Sequence, residues 1–305
     1  SHARVGQPVP NLLFGAVHFL LLKGKDHPLK EYYPSLVENP KPFHESFAHF
    51  RDFCLTFRDE IISILKTRLV QTNEVRRCAY LYPVFCTIYE KVQRPLALIE
   101  IGTSAGLQLL FDQFAYSYDK NKVYGKIDSR LHLTAEIRGE HVPSIHTSPP
   151  PVTKRIGLDL NTIDLTDEEE KLWLKALIWP EHEERLYMLE EASSYLSKVS
   201  IELVDGDGIS LFPRYAERIP KDSILCVFHT HVANQMPTKL KKKLLQTVED
   251  IGKTRDVFHI YNNMDDMYLH LDHYLNGKLH KHTIAETDGH GRWFKWMVEG
   301  DLLVK

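Results

Sequence analysis

The sequence predicts an α/β protein: a mostly parallel sheet with an antiparallel C-terminal hairpin strand, preceded by a helical segment over residues 1–94. Three observations carry this. From residue 96 onward, short apolar runs alternate with amphipathic stretches, the pattern of strands joined by helical crossovers. Residues 96–99 form an apolar run that ends in Glu100 and passes through the Gly-rich turn Gly102-Thr103-Ser104-Ala105-Gly106 into an amphipathic segment, 107–114. At the end of the chain, two strand-like runs, 278–286 and 292–298, flank Asp288-Gly289-His290-Gly291, a turn signal.

Within 1–94, Pro8-Val9-Pro10-Asn11 introduces a helix over 12–23, with Asn11 as its N-cap. A second helix spans 45–66, where Phe47, Phe50, Phe53, Cys54, Phe57, Ile61 and Leu65 recur at three- and four-residue spacing. A third starts at Thr72 or Asn73, with Cys78, Leu81, Phe85 and Ile88 on its inner face, and Pro95 closes the region. The second region, 95–305, carries an insertion at about 119–151, irregular or hairpin-like over 123–138 and ended by Pro149-Pro150-Pro151. Strands follow at 152–160, 200–204, 223–228 and 256–261, with helices at 166–177, 181–199 and 237–251. Thr166 and Glu169 have the spacing of a capping box. Asp266, His270 and His273, four and then three apart, read as one helical face and a weak metal candidate.

The bulk numbers exclude several classes. A chain of 305 residues with 43% hydrophobic and 26% charged content is an ordinary globular protein of one large or two moderate domains. Net charge is −3 and no dense basic face appears, so a nucleic-acid partner is not expected; Lys239 to Lys243 reads as a solvated helix face. Cys54, Cys78, Cys86 and Cys226 are scattered without a CxxC pair, which predicts reduced buried thiols and a cytoplasmic protein. No apolar run reaches the roughly 18 residues of a membrane span. The opening Ser1-His2 reads as an expression scar with native sequence missing before it.

The turn after Glu100 carries the chemistry. It lacks the three glycines of a dinucleotide fingerprint and the Lys-Ser/Thr of a P-loop. Small residues let a ligand approach the backbone, the following helix offers free N–H groups, and Glu100 can accept hydrogen bonds from hydroxyls. The order acid-x-Gly-x-x-x-Gly resembles the first motif of S-adenosylmethionine-dependent methyltransferases; a plain Gly turn of an α/β protein gives the same string. The C-terminal hairpin after an α/β run also resembles Rossmann-like methyltransferases. Several segments are similar to one bacterial family, DUF2332: Pro10-Asn11-Leu12-Leu13-Phe14, Thr72-Asn73-Glu74-Val75-Arg76-Arg77, the 100–107 turn with Phe111-Asp112, Arg155 to Asn161, Trp179-Pro180, Asp205-Gly206-Asp207 and Val227-Phe228-His229. Thr162 departs from that pattern, standing where the family commonly has Pro, and Asp159 lies about fifty residues beyond Gly106, farther than usual in methyltransferases.

This resemblance implies a seven-stranded, methyltransferase-like Rossmann sheet with an N-terminal helical cap, binding S-adenosylmethionine. Gly102, Thr103, Ser104 and Gly106 would lie beside its methionine and ribose parts, Asp159 would accept the ribose hydroxyls, and Asp205 or Asp207 would face the adenine amino group. Acids at strand ends also cap helices and turns, which is the alternative for Asp159 and Asp207. Asn73 and Arg77 would reach the cofactor's carboxylate, the alternative being a Glu74–Arg77 helical ion pair. His229, His231 and Asn234, after the fourth strand, would stand at the methyl-transfer position, a histidine serving as base. The expected activity is methyl transfer to a small or medium acceptor. Its rivals are a catalytically silent cofactor-binding regulatory module and a metal-dependent hydrolase built on His229 and His231. The hairpin histidines His280, His282 and His290 carry no assigned role.

Overall fold

The structure, a computed structural model, describes residues 3–299 apart from residues 5 and 120; Ser1 and His2 lie outside that range. In chain order its α-helices are α1 (Val9–Leu22), α2 (Phe47–Thr56), α3 (Arg58–Thr67), α4 (Cys78–Val92), α5 (Glu168–Ala176), α6 (Glu183–Ser194), α7 (Gly208–Glu217) and α8 (Thr238–Gly252). Its strands are β1 (Leu96–Ile101), β2 (Ala115–Ser117), β3 (Tyr124–Gly125), β4 (His132–Thr134), β5 (Glu136–Arg138), β6 (Val152–Asp159), β7 (Glu202–Asp205), β8 (Ile224–His229), β9 (Val257–Tyr261), β10 (Leu269–Leu275), β11 (Lys278–Thr287) and β12 (Trp293–Trp296). The chain divides into two compact units. One combines residues up to Thr72 with Ile163–Glu190, and the other combines Asn73–Thr162 with the chain from Glu191 onward. The boundaries of these units fall at 72/73, 162/163 and 190/191.

The helical unit is held by an apolar core in which Leu12, Ala16, Phe19 and Leu20 of α1 meet Phe53 of α2, Ile61 and Leu65 of α3, and Trp173 of α5. Gly15 lets α5 approach: a Cβ there would fall 2.9 Å from Leu177 Cδ2. α1 begins at Val9 after Pro8, so Asn11 lies inside the helix and does not cap it. The long helix expected over 45–66 breaks at Phe57, whose ring packs 4.6 Å from that of Phe53 and whose backbone leaves the helical region (φ −103°, ψ 27°). At α5, Asp167 is the N-cap and accepts from Glu169 N and Glu170 N, one residue beyond the expected Thr166.

The second unit is built on a nine-stranded sheet of order β5-β12-β11-β10-β9-β8-β1-β6-β7. From β7 to β9 all neighbours are parallel. β1 and β8 are buried at every position, as central parallel strands covered on both faces must be. On one face Ile99, Val227 and Val257 pack with Phe212 of α7 and with Leu244 and Val248 of α8. On the other, Phe85 of α4 meets Phe228 edge-on at 5.6 Å and stacks on Phe111 at 4.2 Å.

Beyond β9 the sheet turns antiparallel through a meander, β9-β10-β11-β12, and short β5 pairs parallel with β12 at the edge. The antiparallel part is therefore three strands, and the sheet has nine strands where seven were expected. β10 is the element that contains His270 and His273, so these residues stand on opposite faces of a strand and not on one helical face. Its hairpin with β11 turns at Asn276-Gly277, both in the left-handed region (φ 51° and 74°), the geometry of a two-residue primed turn. β3 and β4 of the insertion pair with β2, which precedes it, to form a separate three-stranded sheet of order β3-β2-β4. No helix among the described residues is long and apolar enough to cross a membrane, and all four cysteines are free.

Candidate functional site

The order β8-β1-β6 places the first strand between its two parallel neighbours, so the chain leaves β1 toward β6 and later returns to its other side at β8. A parallel sheet opens a crevice at such a reversal, beyond the carboxyl ends of the two strands. Here those ends are Glu100-Ile101 and His229, and the loops that follow them carry Gly102, Thr103, Ser104, Gly106, His231 and Asn234.

On the β1 side, Gly102 N donates to Leu158 O (2.8 Å) and Ser104 N donates to Asp159 Oδ2 (2.8 Å), which locks the turn to the end of β6. Asp159 Oδ1 accepts Asn161 N at 3.0 Å. Burial raises the Asp159 pKa, opposed by these N–H donors. Asn73 Nδ2 donates to Thr103 O (2.7 Å), and Thr103 Oγ1 donates to Glu100 Oε2 (2.7 Å). Glu100 is 2% exposed, and desolvation pushes its pKa up to about 8. Two atoms beside this turn, Ser104 Oγ and Asn73 Oδ1, are buried without a hydrogen-bond partner. Gly102 and Gly106 both have φ +75°, but their small size serves packing: a Cβ at Gly102 would fall 2.4 Å from Val232 Cγ2, and one at Gly106 3.1 Å from Leu203 Cδ2. After the turn comes a 3₁₀ helix, Leu107–Gln113, buried at six of its seven positions, where an amphipathic segment was expected.

On the β8 side, Arg77 Nε donates to Gly289 O (2.9 Å), and its Nη1 lies 3.4 Å from Thr230 O and 3.3 Å from Thr230 Oγ1. Thr230 Oγ1 donates to Gln108 Oε1 (3.0 Å), whose amide nitrogen reaches Glu74 O at 3.3 Å. His290 Nδ1 meets Glu74 Oε2 at 2.9 Å, so Glu74 pairs with the hairpin turn and Arg77 with the loop oxygens; neither forms the expected helical pair. Asn73 and Glu74 in fact precede a 3₁₀ turn, Val75–Arg77. His231 N donates to Asn262 Oδ1 (2.7 Å), and Asn263 Nδ2 sits 3.2 Å from His231 Nδ1. Because an amide nitrogen can only donate, Nδ1 accepts and the neutral ring carries its proton on Nε2. That Nε2 is buried and without partner. Burial, then the neighbouring Arg77, lower the His231 pKa to about 4.

His229 is wholly buried and does not join His231. Its Nε2 lies 3.2 Å from His259 Nε2, its ring stacks on Tyr261 at 5.9 Å, and desolvation lowers its pKa to about 3. The metal alternative needed the two histidines to converge, and among the described residues no three His, Cys, Asp or Glu side chains are placed to hold a metal ion. Asn234 is exposed on the short turn Ala233–Gln235. Asp205 accepts Thr162 N (2.7 Å) and Thr162 Oγ1 (2.8 Å). Asp207 caps α7, accepting Ile209 N at 3.1 Å and Ser210 Oγ. The structure thus gathers Asn73, Arg77, Glu100, Gly102, Thr103, Ser104, Asp159 and His231 around the reversal, while Asp207 does the capping that was its alternative. Sequence reasoning missed Gln108, Asn262 and Asn263; the strand-end position of the Asn pair, directly after β9, is the signal that marks them.

Residues 1–296 match the family described as uncharacterized protein conserved in bacteria (DUF2332), and the chain belongs to that family. Neither the curated proteins nor the solved structures contain a match.

Proposed function

We propose that the chain has a methyltransferase-like Rossmann domain that binds S-adenosylmethionine at the carboxyl ends of β1 and β6 and transfers its methyl group to a small or medium acceptor. The observation that carries this is the pairing of a left-handed Gly-rich turn after the first strand with an acid at the end of the adjacent parallel strand. Ser104 N and Asp159 Oδ2 join the two at 2.8 Å. The fit to the cofactor is read from the turn. Room over Gly102 is taken by Val232, so the ligand-facing side is that of Ser104 and Asn73, whose orphaned Oγ and Oδ1 suit hydroxyl and ammonium groups. Asp159, half-buried at the end of β6, is the carboxylate that would meet the two adjacent hydroxyls of the ribose.

S-Adenosylmethionine, when bound, supplies an electrophilic methyl on a sulfonium. The protein's own task is then positioning of the acceptor and exclusion of water. Glu100, held near neutral pKa beside the turn, is the titratable group poised to keep or release a proton at working pH. His231 offers a proton donor at Nε2 and is not a base there, and buried His229 turns instead to His259. The muted basicity of both histidines favours a second reading, a binding module that holds the cofactor without turnover.

Isothermal titration with S-adenosylmethionine and S-adenosylhomocysteine tests the proposal. Binding of both is expected, weakened about tenfold or more by Asp159→Asn, the scale of a lost hydrogen bond to a charged group, and unchanged by Asp207→Asn. Failure of the native protein to bind either compound overturns it. Binding without methyl transfer across an acceptor screen selects the silent module.

A further inference from the structure

Among the described residues, five non-glycine residues adopt left-handed backbone: Gln93, Ser104, His231, Asn263 and Asn276. Gln93 ends α4 and Asn276 makes the β10–β11 turn, both ordinary uses of that conformation. The other three follow directly on β1, β8 and β9, at the carboxyl ends around the crevice, with φ of 54°, 58° and 61°. Strained backbone of this kind persists where the surroundings over-determine it, and it concentrates at ligand sites. Two of the three, Ser104 and His231, also carry a buried side-chain atom with no partner. Strain and an unused polar atom therefore coincide twice, on the two loops that face each other across the reversal.

The β8 side has a defined polarity. Asn263 donates toward Nδ1 of His231, so Nε2–H is a donor awaiting an acceptor. Arg77 stands close enough to depress protonation of that ring. The neighbouring Arg292 is matched by a carboxylate, Asp288 at 2.8 Å and 2.9 Å, and His290 Nδ1 meets Glu74 Oε2 at 2.9 Å. Arg77 instead donates to the neutral oxygens of Gly289 and Thr230, two of those contacts being 3.3 Å or longer. A ligand here must accept a hydrogen bond and bring negative charge. Two side-chain donors suit the two oxygens of a carboxylate. A phosphate group gains most from a nest of backbone N–H groups or a long helix N-terminus beside the side-chain donors, and the helical turn nearby, Ala233–Gln235, is only three residues long.

We infer that the loop after β8 binds a carboxylate on the methyl acceptor, held by His231 Nε2–H with the Arg77 guanidinium beside it. That the carboxylate belongs to an acceptor rests on the methyl-transfer reading; the site itself does not.

The test is the histidine Cε1–H spectrum of the whole protein with 13C-labelled histidine, the His231 signal being identified by its loss in His231→Gln. Sodium acetate is the probe, with sodium chloride at equal ionic strength and inorganic phosphate as comparisons. Acetate is expected to shift the His231 signal along a saturating curve at millimolar concentration, leaving the His229 and His259 signals in place. Arg77→Lys, which keeps the charge and loses the fork, is expected to weaken acetate at least fivefold. His231→Asn supplies the same assignment if His231→Gln fails to fold, and the titration of the unaltered protein decides the matter whether or not Arg77→Lys folds. A His231 response to acetate no larger than to chloride, or a stronger one to phosphate, overturns the inference. S-Adenosylhomocysteine is titrated in parallel. Acetate saturation without nucleoside binding upholds the site and removes the methyltransferase reading, whereas nucleoside binding without an acetate response removes the carboxylate site alone.

Discussion

Gly102 shows how a residue can be legible in a sequence while its reason is not. The turn it opens was evident from composition, but nothing local reveals that Val232, 130 residues downstream, fills the space above it. With φ +75° and Val232 Cγ2 2.4 Å from where a Cβ would sit, Gly102→Ala combines a backbone penalty with overpacking. We expect it to cost ~2–4 kcal/mol of stability by urea unfolding. Gly277, with a similar φ of +74° and nothing within 4 Å, isolates the backbone term, and Gly277→Ala should cost about 1 kcal/mol. Equal losses at the two positions would remove the role given to Val232. Among the acids, Asp159 and Glu100 were placed correctly at strand ends by pattern alone, whereas the partners that set their protonation, Ser104 N and Thr103 Oγ1, depend on how the turn closes.

At the scale of elements, parallel strands announced themselves because burial on both faces makes them continuous apolar runs, as in Leu96–Ile101 and Ile224–His229. β10 did not, because the alternation of its sequence, LHLDHYL, breaks after Asp272 and its histidines also stand at helical spacing from Asp266. Asn276-Gly277 between two alternating runs was the available hairpin signal. The strand places His273 beneath Phe258, with His280 and His282 stacked on its other side at 4.8 Å and 5.5 Å. His273 is 3% exposed, its Nδ1 has no partner, and burial lowers its pKa to about 3. Replacement by an apolar residue removes an unsatisfied buried group, so His273→Leu should stabilise the fold by about 1 kcal/mol at pH 7 and by more at pH 5. A destabilised variant at both pH values would mean that the stacked ring, and not its unpaired nitrogen, dominates.

The whole molecule should show a stability maximum near pH 6.5, the ordinary histidine value. His18, His229, His231 and His273 are all depressed by burial, to about 4, 3, 4 and 3. Below pH 6.5 the unfolded chain takes up protons that the folded protein refuses, so stability falls as pH falls. Glu100 acts oppositely: the unfolded chain ionises it from 4.5 upward while the fold keeps it protonated to about 8, so stability falls as pH rises across that window. Four histidines outweigh one acid below 6.5, and above it Glu100 alone of these groups still contributes. Glu100→Gln should therefore flatten the limb between pH 6.5 and 8 in a series of urea midpoints and steepen the acid limb between 4.5 and 6.5, where Glu100 opposes the histidines. An unchanged alkaline limb would mean that Glu100 is ionised in the fold. At this scale the alternation of strands and helices was readable, but the two-unit division was not. Residues 163–190 join the helical unit through packing of Trp173 and Ala176 with distant α1, a tertiary choice that no local pattern encodes.

The most direct measurement of the central claim is hydrogen–deuterium exchange with and without S-adenosylhomocysteine. Slowed exchange confined to peptides covering 101–107 and 159–162, the two backbone segments joined by Ser104 and Asp159, is the predicted result. Unchanged exchange in both segments at saturating ligand, or protection elsewhere in the chain, would contradict a cofactor site at the carboxyl ends of β1 and β6.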